Sequence, residues 1–384
     1  MRQDSCFEPG TDRVDRLTLQ NGTFRRLALP VRRFRTARQT FEKRAVVVVR
    51  LECSVGGESV VGWGEAAPLE EWGTESVEAV EGLLRKLQPP VGPFDVRGLD
   101  DVMPGLNGAP ATRFAVETAC LDAVSRAQGV PLRRLLGGGR QLEHVAVNGV
   151  LGADANRSDV EELIERGFDC VKAKLATDDV EEAGRRTAAL REMLPTGVAL
   201  RLDANGRWSF GRARSFMEGL EGTDIEYVEQ PVGRESRDAL VRLARNGCVP
   251  VAADESAHPV TAARQMLEDG IPVLVLKPMA LGGLLRARDL AGEAEQAGSR
   301  VVWTSAIESA VGRSALVHLA AACSDRFEGS DGFAGPHGLA VGEMLDDDVN
   351  REAMAVEGGR IRVPDTPGIG IEVDDSTLQR LEAG

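Results

Sequence analysis

The octapeptide DCVKAKLA, residues 169–176, puts two lysines where a buried strand is expected. Val171, Ala173 and Leu175 form one alternating apolar face, so Lys172 and Lys174 project together from the other. Two neighbouring ammonium groups repel, and burial disfavours the charged form of each. A buried lysine can lose its proton and act as a base, which arginine cannot do. The chain has five lysines against 41 arginines, and Lys172, Lys174 and Lys277 all lie in apolar, strand-like segments. Chance retention with ordinary ion pairing is the plain alternative. Three carboxylates in similar settings argue against it: Asp203 in RLDAN, Glu229 in YVEQP and Asp254 in AADES. A single strand-end aspartate usually caps a helix. Three meeting at one mouth would repel unless a cation sat among them. Hard oxygen ligands with open positions suit Mg²⁺, with Mn²⁺ as the substitute. A metal beside an uncharged lysine is equipment for removing a proton next to a carboxylate through an enediolate. Lowering a lysine by about 3 units corresponds to about 4 kcal/mol of differential interaction. Lys172, on the same face as Lys174, is expected to supply part of that push.

Such a constellation needs a scaffold that brings strand ends together. From about residue 142, short apolar segments alternate with amphipathic helical patterns: HVAVNGVL, FDCVKAKLA, GVALRLDAN, IEYVEQP, VPVAADES, IPVLVLKP and SRVVWTSA. Their polar end residues, Lys174, Asp203, Glu229, Asp254, Lys277 and Thr304, are separated by 29, 26, 25, 23 and 27 residues. Each gap holds one β/α unit, which predicts an α/β fold of the barrel type. A doubly wound open sheet would be the alternative, but there is no Gly-rich phosphate loop. In a closed barrel Lys174 and Lys277 face each other across the mouth. The eighth strand is expected near residues 326–331, RFEGSD, where the pattern is weak.

Before the barrel, FRRLALPV, RAVVVVRLECSV and ESVVGWGEA read as strands, with helices over 74–88 and 111–129. That order predicts an α+β capping domain over residues 14–141, a barrel over 142–331 and a segment over 332–384 that returns to the cap. Residues 1–13 are expected to be disordered.

The net charge of −14 and a pI near 5.0 disfavour nucleic acid and anionic membranes as partners. No run of 18 apolar residues occurs, so no membrane span is expected. The polar start, with no apolar signal segment, points to a cytoplasmic protein. The six scattered cysteines form no CxxC pair and read as free thiols. A small carboxylate is the partner the motifs imply, while the oligomeric state is not legible. Of the four histidines, His144, His258 and His318 read as structural, and His337 has no assignable role.

The motifs VKAKLA, RLDANGRW, EYVEQP, AADES and VLKP resemble the enolase superfamily, in its muconate-lactonizing subgroup. WGEAAPL resembles that family's N-terminal cap. The resemblance implies an enolase-like (β/α)7β barrel of the TIM type, with Asp203, Glu229 and Asp254 holding Mg²⁺. Within the superfamily, TSAIESAVGRSALVHLAA (304–321) and HGLAVGEML (337–345) resemble the o-succinylbenzoate synthases of menaquinone biosynthesis. That likeness implies a hydro-lyase acting on 2-succinyl-6-hydroxy-2,4-cyclohexadiene-1-carboxylate. Lys174 would be the base and then the acid of a syn dehydration, Lys277 would stabilise the enediolate, and Lys172 would tune Lys174. Ser305, Ser309 and nearby amides would bind the succinyl carboxylate, with Asn148 and Arg201 pointing inward by strand parity. Asn205 would serve behind the ligands or as an N-cap, and Glu308 would orient the loop.

This chain departs from the group's pattern at Ala306, where a second serine is common. The loop LPVRRFRTARQTFEKR should cap the pocket, with Arg32, Arg33, Arg35 and Arg38 suited to a dicarboxylate or simply solvated. N-Acylamino acid racemisation, with Lys277 as second base, needs the same groups. Dipeptide epimerisation is weakened because GSDGFAG offers only Asp331 of a paired-aspartate pattern. A metal-binding barrel without activity is the reading from another class.

Overall fold

The apolar alternation in the first third of the chain builds an antiparallel sheet. This computed structural model describes residues 16–35, 40–138, 142–326 and 335–382, with backbone only at 33–35, 40–41 and 325–326. β1 (Leu17–Arg35), β2 (Thr40–Val55), β3 (Glu58–Ala66) and β4 (Val91–Phe94) stack in the order β3-β2-β1-β4. The β2–β3 turn uses Gly56 and Gly57, both at positive φ, as the SVGGES pattern requires. The helix Pro110–Ala127 lies across β3 and β2 and is buried along most of its length. Its approach depends on Gly62 and Gly64, where an added Cβ would stand 1.9 Å and 2.0 Å from the carbonyl oxygens of Ala119 and Ala115. The helix expected over 74–88 is shorter, Val77–Leu84. Ser76 caps it by accepting from the Ala79 amide, and the Thr74 hydroxyl instead accepts from Leu69 N–H.

The alternating second half forms a seven-stranded parallel sheet. β6 (Gly149–Leu151), β7 (Cys170–Lys174), β8 (Ala199–Asp203), β9 (Tyr227–Glu229), β10 (Val251–Ala253), β11 (Val273–Leu276) and β12 (Arg300–Trp303) are neighbours in chain order. HVAVNGVL, expected as one strand, breaks in two. Its first part, β5 (His144–Ala146), pairs with β14 (Arg360–Arg362) of a hairpin whose other arm is β13 (Val356–Glu357). Only the second part enters the barrel.

The eighth strand was expected near residues 326–331. Arg326 ends the helix Ala310–Arg326, and residues 327–331 lie outside the described residues. Among the described residues, His337 and Gly338 span the gap, bridging in parallel to Val147 and to Thr304. His337 O accepts from Asn148 N–H at 2.9 Å, and Gly338 N–H donates to Trp303 O at 2.8 Å. The buried His337 ring accepts from Trp303 N–H at 3.2 Å, and burial pushes its pKa down to about 3. His337 is thus a neutral closure residue of the barrel.

The C-terminal segment touches both units. Leu345 and Glu382 bridge to Val31 and Leu27 of β1, while β14 holds β5. No helix among the described residues is long and apolar enough to cross a membrane. Cys53, Cys120, Cys170 and Cys248 are free thiols, whereas Cys6 and the stretch 1–13 lie outside the described residues.

Candidate active site

Strand register sets the centre of the site. Lys174 pairs with Asp203 across β7 and β8, and Asp203 pairs with Glu229 across β8 and β9. Asp254 and Lys277 are the first residues beyond β10 and β11, so all five stand at the C-terminal rim. Valines and alanines on the opposite strand faces anchor the row in the core; Val171 and Ala173 have no exposed surface. A cavity of about 270 Å³ opens at this rim, lined by Lys172, Lys174, Asp203, Asp254 and Lys277 among others.

The lysines and carboxylates are interlocked. Lys172 Nζ lies 2.8 Å from Glu229 Oε1 and 3.4 Å from Asp203 Oδ2. Lys277 Nζ donates to Asp254 Oδ1 at 2.6 Å and sits 3.3 Å from the centroid of the Trp72 ring, a cation–π contact. Burial pulls Lys172 down, but Glu229, Asp203 and Asp254 hold it well above the ordinary lysine range. Lys174 is lowered, chiefly by burial and further by Lys172 and Lys277, against the opposing pull of Asp203 and Glu229. Lys174 is thus lowered as expected, with burial rather than Lys172 as the main cause, whereas Lys172 is raised, against the expectation that burial and repulsion would loosen both.

The carboxylates carry the imprint of their crowding. Burial, with Asp203 and Asp254 nearby, raises Glu229 to about 7 against the effect of Lys172. Glu255, next to Asp254, is raised to about 8 by burial and then by Asp254 and Asp203. Burial works upward on Asp254 too, but Lys277, His258 and Lys172 take it to about 2. Glu229 Oε2 and Glu255 Oε2 are buried without hydrogen-bond partners among the described residues. Orphaned carboxylate oxygens in an acidic cluster fit a hard divalent cation in donor chemistry. No three Asp, Glu, His or Cys side chains among the described residues already converge as a formed cage, since the lysine ammoniums take up the carboxylates.

The expected substrate contacts divide. Ser305 and Asn148 line the cavity. The Ser305 hydroxyl donates to Glu308 Oε2 and accepts from Ile307 N–H, so Glu308 does orient the loop. Ser309 does not reach the cavity: it is fully buried, and its hydroxyl donates to Glu65 of the cap at 2.5 Å. Arg201 also lies off the cavity. It grips Glu226 at 2.6 Å and Pro336 O at 2.6 Å and stacks over Tyr227. Strand parity gave its direction but not its depth. Asn205 is no N-cap, because the next helix begins at Phe210 after Ser209; its backbone N–H donates to Asp203 Oδ1 at 3.0 Å. Arg32 is exposed and paired with Asp346, the side chains of Arg33 and Arg35 are not described, and Arg38 lies outside the described residues.

The sequence reading missed the cap's real contribution. Leu69, Glu71 and Trp72 line the cavity from the segment after β3. Gln230, Arg234, Glu235 and Glu255 follow β9 and β10, and Ile307, Val341 and Met344 add an apolar wall. The PLEEW stretch directly after a strand was the available cue for Trp72.

Comparison with known proteins agrees with this fold. Residues 155–377 match the enolase C-terminal domain-like family, and residues 22–137 match the mandelate racemase / muconate lactonizing enzyme N-terminal domain. The chain is 31% identical to L-Ala-D/L-Glu epimerase of Bacillus subtilis, covering 90% of this chain and 94% of that one. It is 30% identical to muconate cycloisomerase 1 of Rhodococcus opacus, covering 89% and 91%. Among solved structures, the N-succinyl Arg/Lys racemase of Bacillus cereus superposes with a TM-score of 0.82 at 25% identity, covering 96% of this chain and 98% of that one.

Proposed function

The chain belongs to the enolase superfamily, and from that membership we propose that it is an o-succinylbenzoate synthase. The reaction is the syn dehydration of 2-succinyl-6-hydroxy-2,4-cyclohexadiene-1-carboxylate to o-succinylbenzoate and water. The observation that carries this choice is the unlike setting of the two lysines in one cavity. Lys277 donates to Asp254 and packs against the Trp72 ring, whereas Lys174 is the lysine whose proton is loosened. That asymmetry suits one-base chemistry. Racemisation asks both lysines to exchange protons in turn.

Lys174 removes the proton on the ring carbon bearing the carboxylate, and the electrons move into the carboxylate as an enediolate. Lys277 faces the developing negative charge. Lys174, now protonated, delivers the proton to the departing hydroxyl; the C–O bond breaks, water leaves and the ring becomes aromatic. Asp203, Glu229 and Asp254 would hold Mg²⁺, which supplies charge stabilisation to the substrate carboxylate when bound. Lys172, ion-paired to Glu229, keeps a second positive charge behind Lys174. Ser305 and Asn148 offer polar contacts to the succinyl arm, and Ile307, Val341 and Met344 exclude water from it.

Racemisation or epimerisation of an N-acylated amino acid is the second reading, supported by the likeness to an epimerase and a racemase. Ser309, turned away to Glu65, also removes one hydroxyl from the succinyl site. Comparing kcat/KM for the cyclohexadiene substrate with that for N-succinyl-L-amino acids separates the two. Dehydration faster by at least about 100-fold, a difference of about 2.7 kcal/mol, is expected. Faster racemisation would transfer the assignment to the second reading.

A further inference from the structure

Arg44, on β2, is buried at 4% exposure and takes no part in the chemistry above. Its guanidinium is a four-way tie. One terminal nitrogen donates to Pro68 O at 2.8 Å and Ala45 O at 3.2 Å; the other donates to Ala67 O at 2.6 Å and Ala306 O at 3.1 Å. Ala67 and Pro68 lead into Leu69, Glu71 and Trp72, which form the cap's wall of the cavity. Ala306 lies between Ser305 and Ile307, which form the barrel's wall. The far end of that barrel loop is also held from the cap: Glu65 accepts from Ser309 N–H and Gly312 N–H, each at 2.8 Å.

We infer that Arg44 is a positioning residue that fixes the separation of the two cavity walls and thereby decides which acyl arm the pocket accepts, without touching the substrate. A planar fork with five donors can serve carbonyls on two chain segments at once, and a lysine ammonium cannot span them in the same geometry. Glu65 holds only the barrel loop, so the two cap residues make different predictions. The kinetic part rests on the synthase reading; the structural part does not.

The test is hydrogen–deuterium exchange with steady-state kinetics on the full chain, as wild type, Arg44→Lys and Glu65→Gln. In Arg44→Lys, amide exchange is expected to quicken by about tenfold or more in both 67–73 and 305–312; in Glu65→Gln, only in 305–312. KM for the cyclohexadiene substrate rises about tenfold in Arg44→Lys with kcat nearly kept, as loss of uniform binding requires. Quickening of one segment alone, or a fall in kcat and melting temperature at unchanged KM, overturns the inference. If the wild type shows no dehydration, the functional reading fails and the paired exchange still decides the coupling. Should Arg44→Lys not fold, Arg44→Gln, whose amide reaches one segment at a time, gives the same readout.

Discussion

Lys174 is the residue on which the account turns. Burial, helped by Lys172 and Lys277 and opposed by Asp203 and Glu229, loosens its proton. Lys174→Arg keeps size and hydrogen bonding but stays protonated, so activity should fall about 1,000-fold or more, as it should for Lys174→Ala. Steady-state rates with circular dichroism as a folding control check this; retention of a tenth of the activity in Lys174→Arg would contradict it. These lysines were legible because few survive in an arginine-rich chain and because strand spacing puts them at ends. Ser309 and Arg201 were misread for a related reason: alternation reports the face on which a side chain lies, not its depth or its partner. Ser309 met Glu65, 244 positions away, which no local pattern encodes.

At the scale of elements, the cap sheet, its long helix and the β/α units were readable from periodicity, while their junctions were not. Gly62 and Gly64 on β3 look like flexible strand positions, yet they make room for the helix Pro110–Ala127. Gly64→Ala should destabilise the protein by about 3 kcal/mol or more through overpacking, measured by urea unfolding. Loss of under about 1 kcal/mol would mean the helix can withdraw. Glu65, beside Glu308 and Arg44, ties the cap to the barrel and is raised to about 7, mainly by burial. A carboxyl with a raised native pKa binds its proton more tightly folded than unfolded. Its contribution is therefore fully present below about 4.5 and is lost as pH rises through about 7. The melting temperature of Glu65→Gln relative to wild type should climb across that window and level off above it. A flat difference would show that Glu65 ionises as freely as in the unfolded chain.

At the scale of the molecule, barrel closure was the part least visible in sequence. Among the described residues, the ring is bridged by His337 and Gly338, two residues too few to carry a strand pattern and lying beyond the stretch 326–331 where the strand was expected. The rim they close gathers carboxylates whose mutual repulsion is answered here by Lys172 and Lys277. Mg²⁺ should raise the melting temperature, with about 2.7 kcal/mol of stabilisation at a hundredfold excess over Kd. Glu229→Gln should abolish that shift while remaining folded; a full Mg²⁺ shift in Glu229→Gln would move the ion elsewhere.

The most direct test of the whole account is the ultraviolet absorbance of purified protein with 2-succinyl-6-hydroxy-2,4-cyclohexadiene-1-carboxylate, run with Mg²⁺, with EDTA and with Lys174→Ala. The account predicts rapid aromatisation with Mg²⁺, lost in EDTA and lost in the variant. Absence of conversion by the metal-loaded wild type, or full conversion by Lys174→Ala, would contradict it.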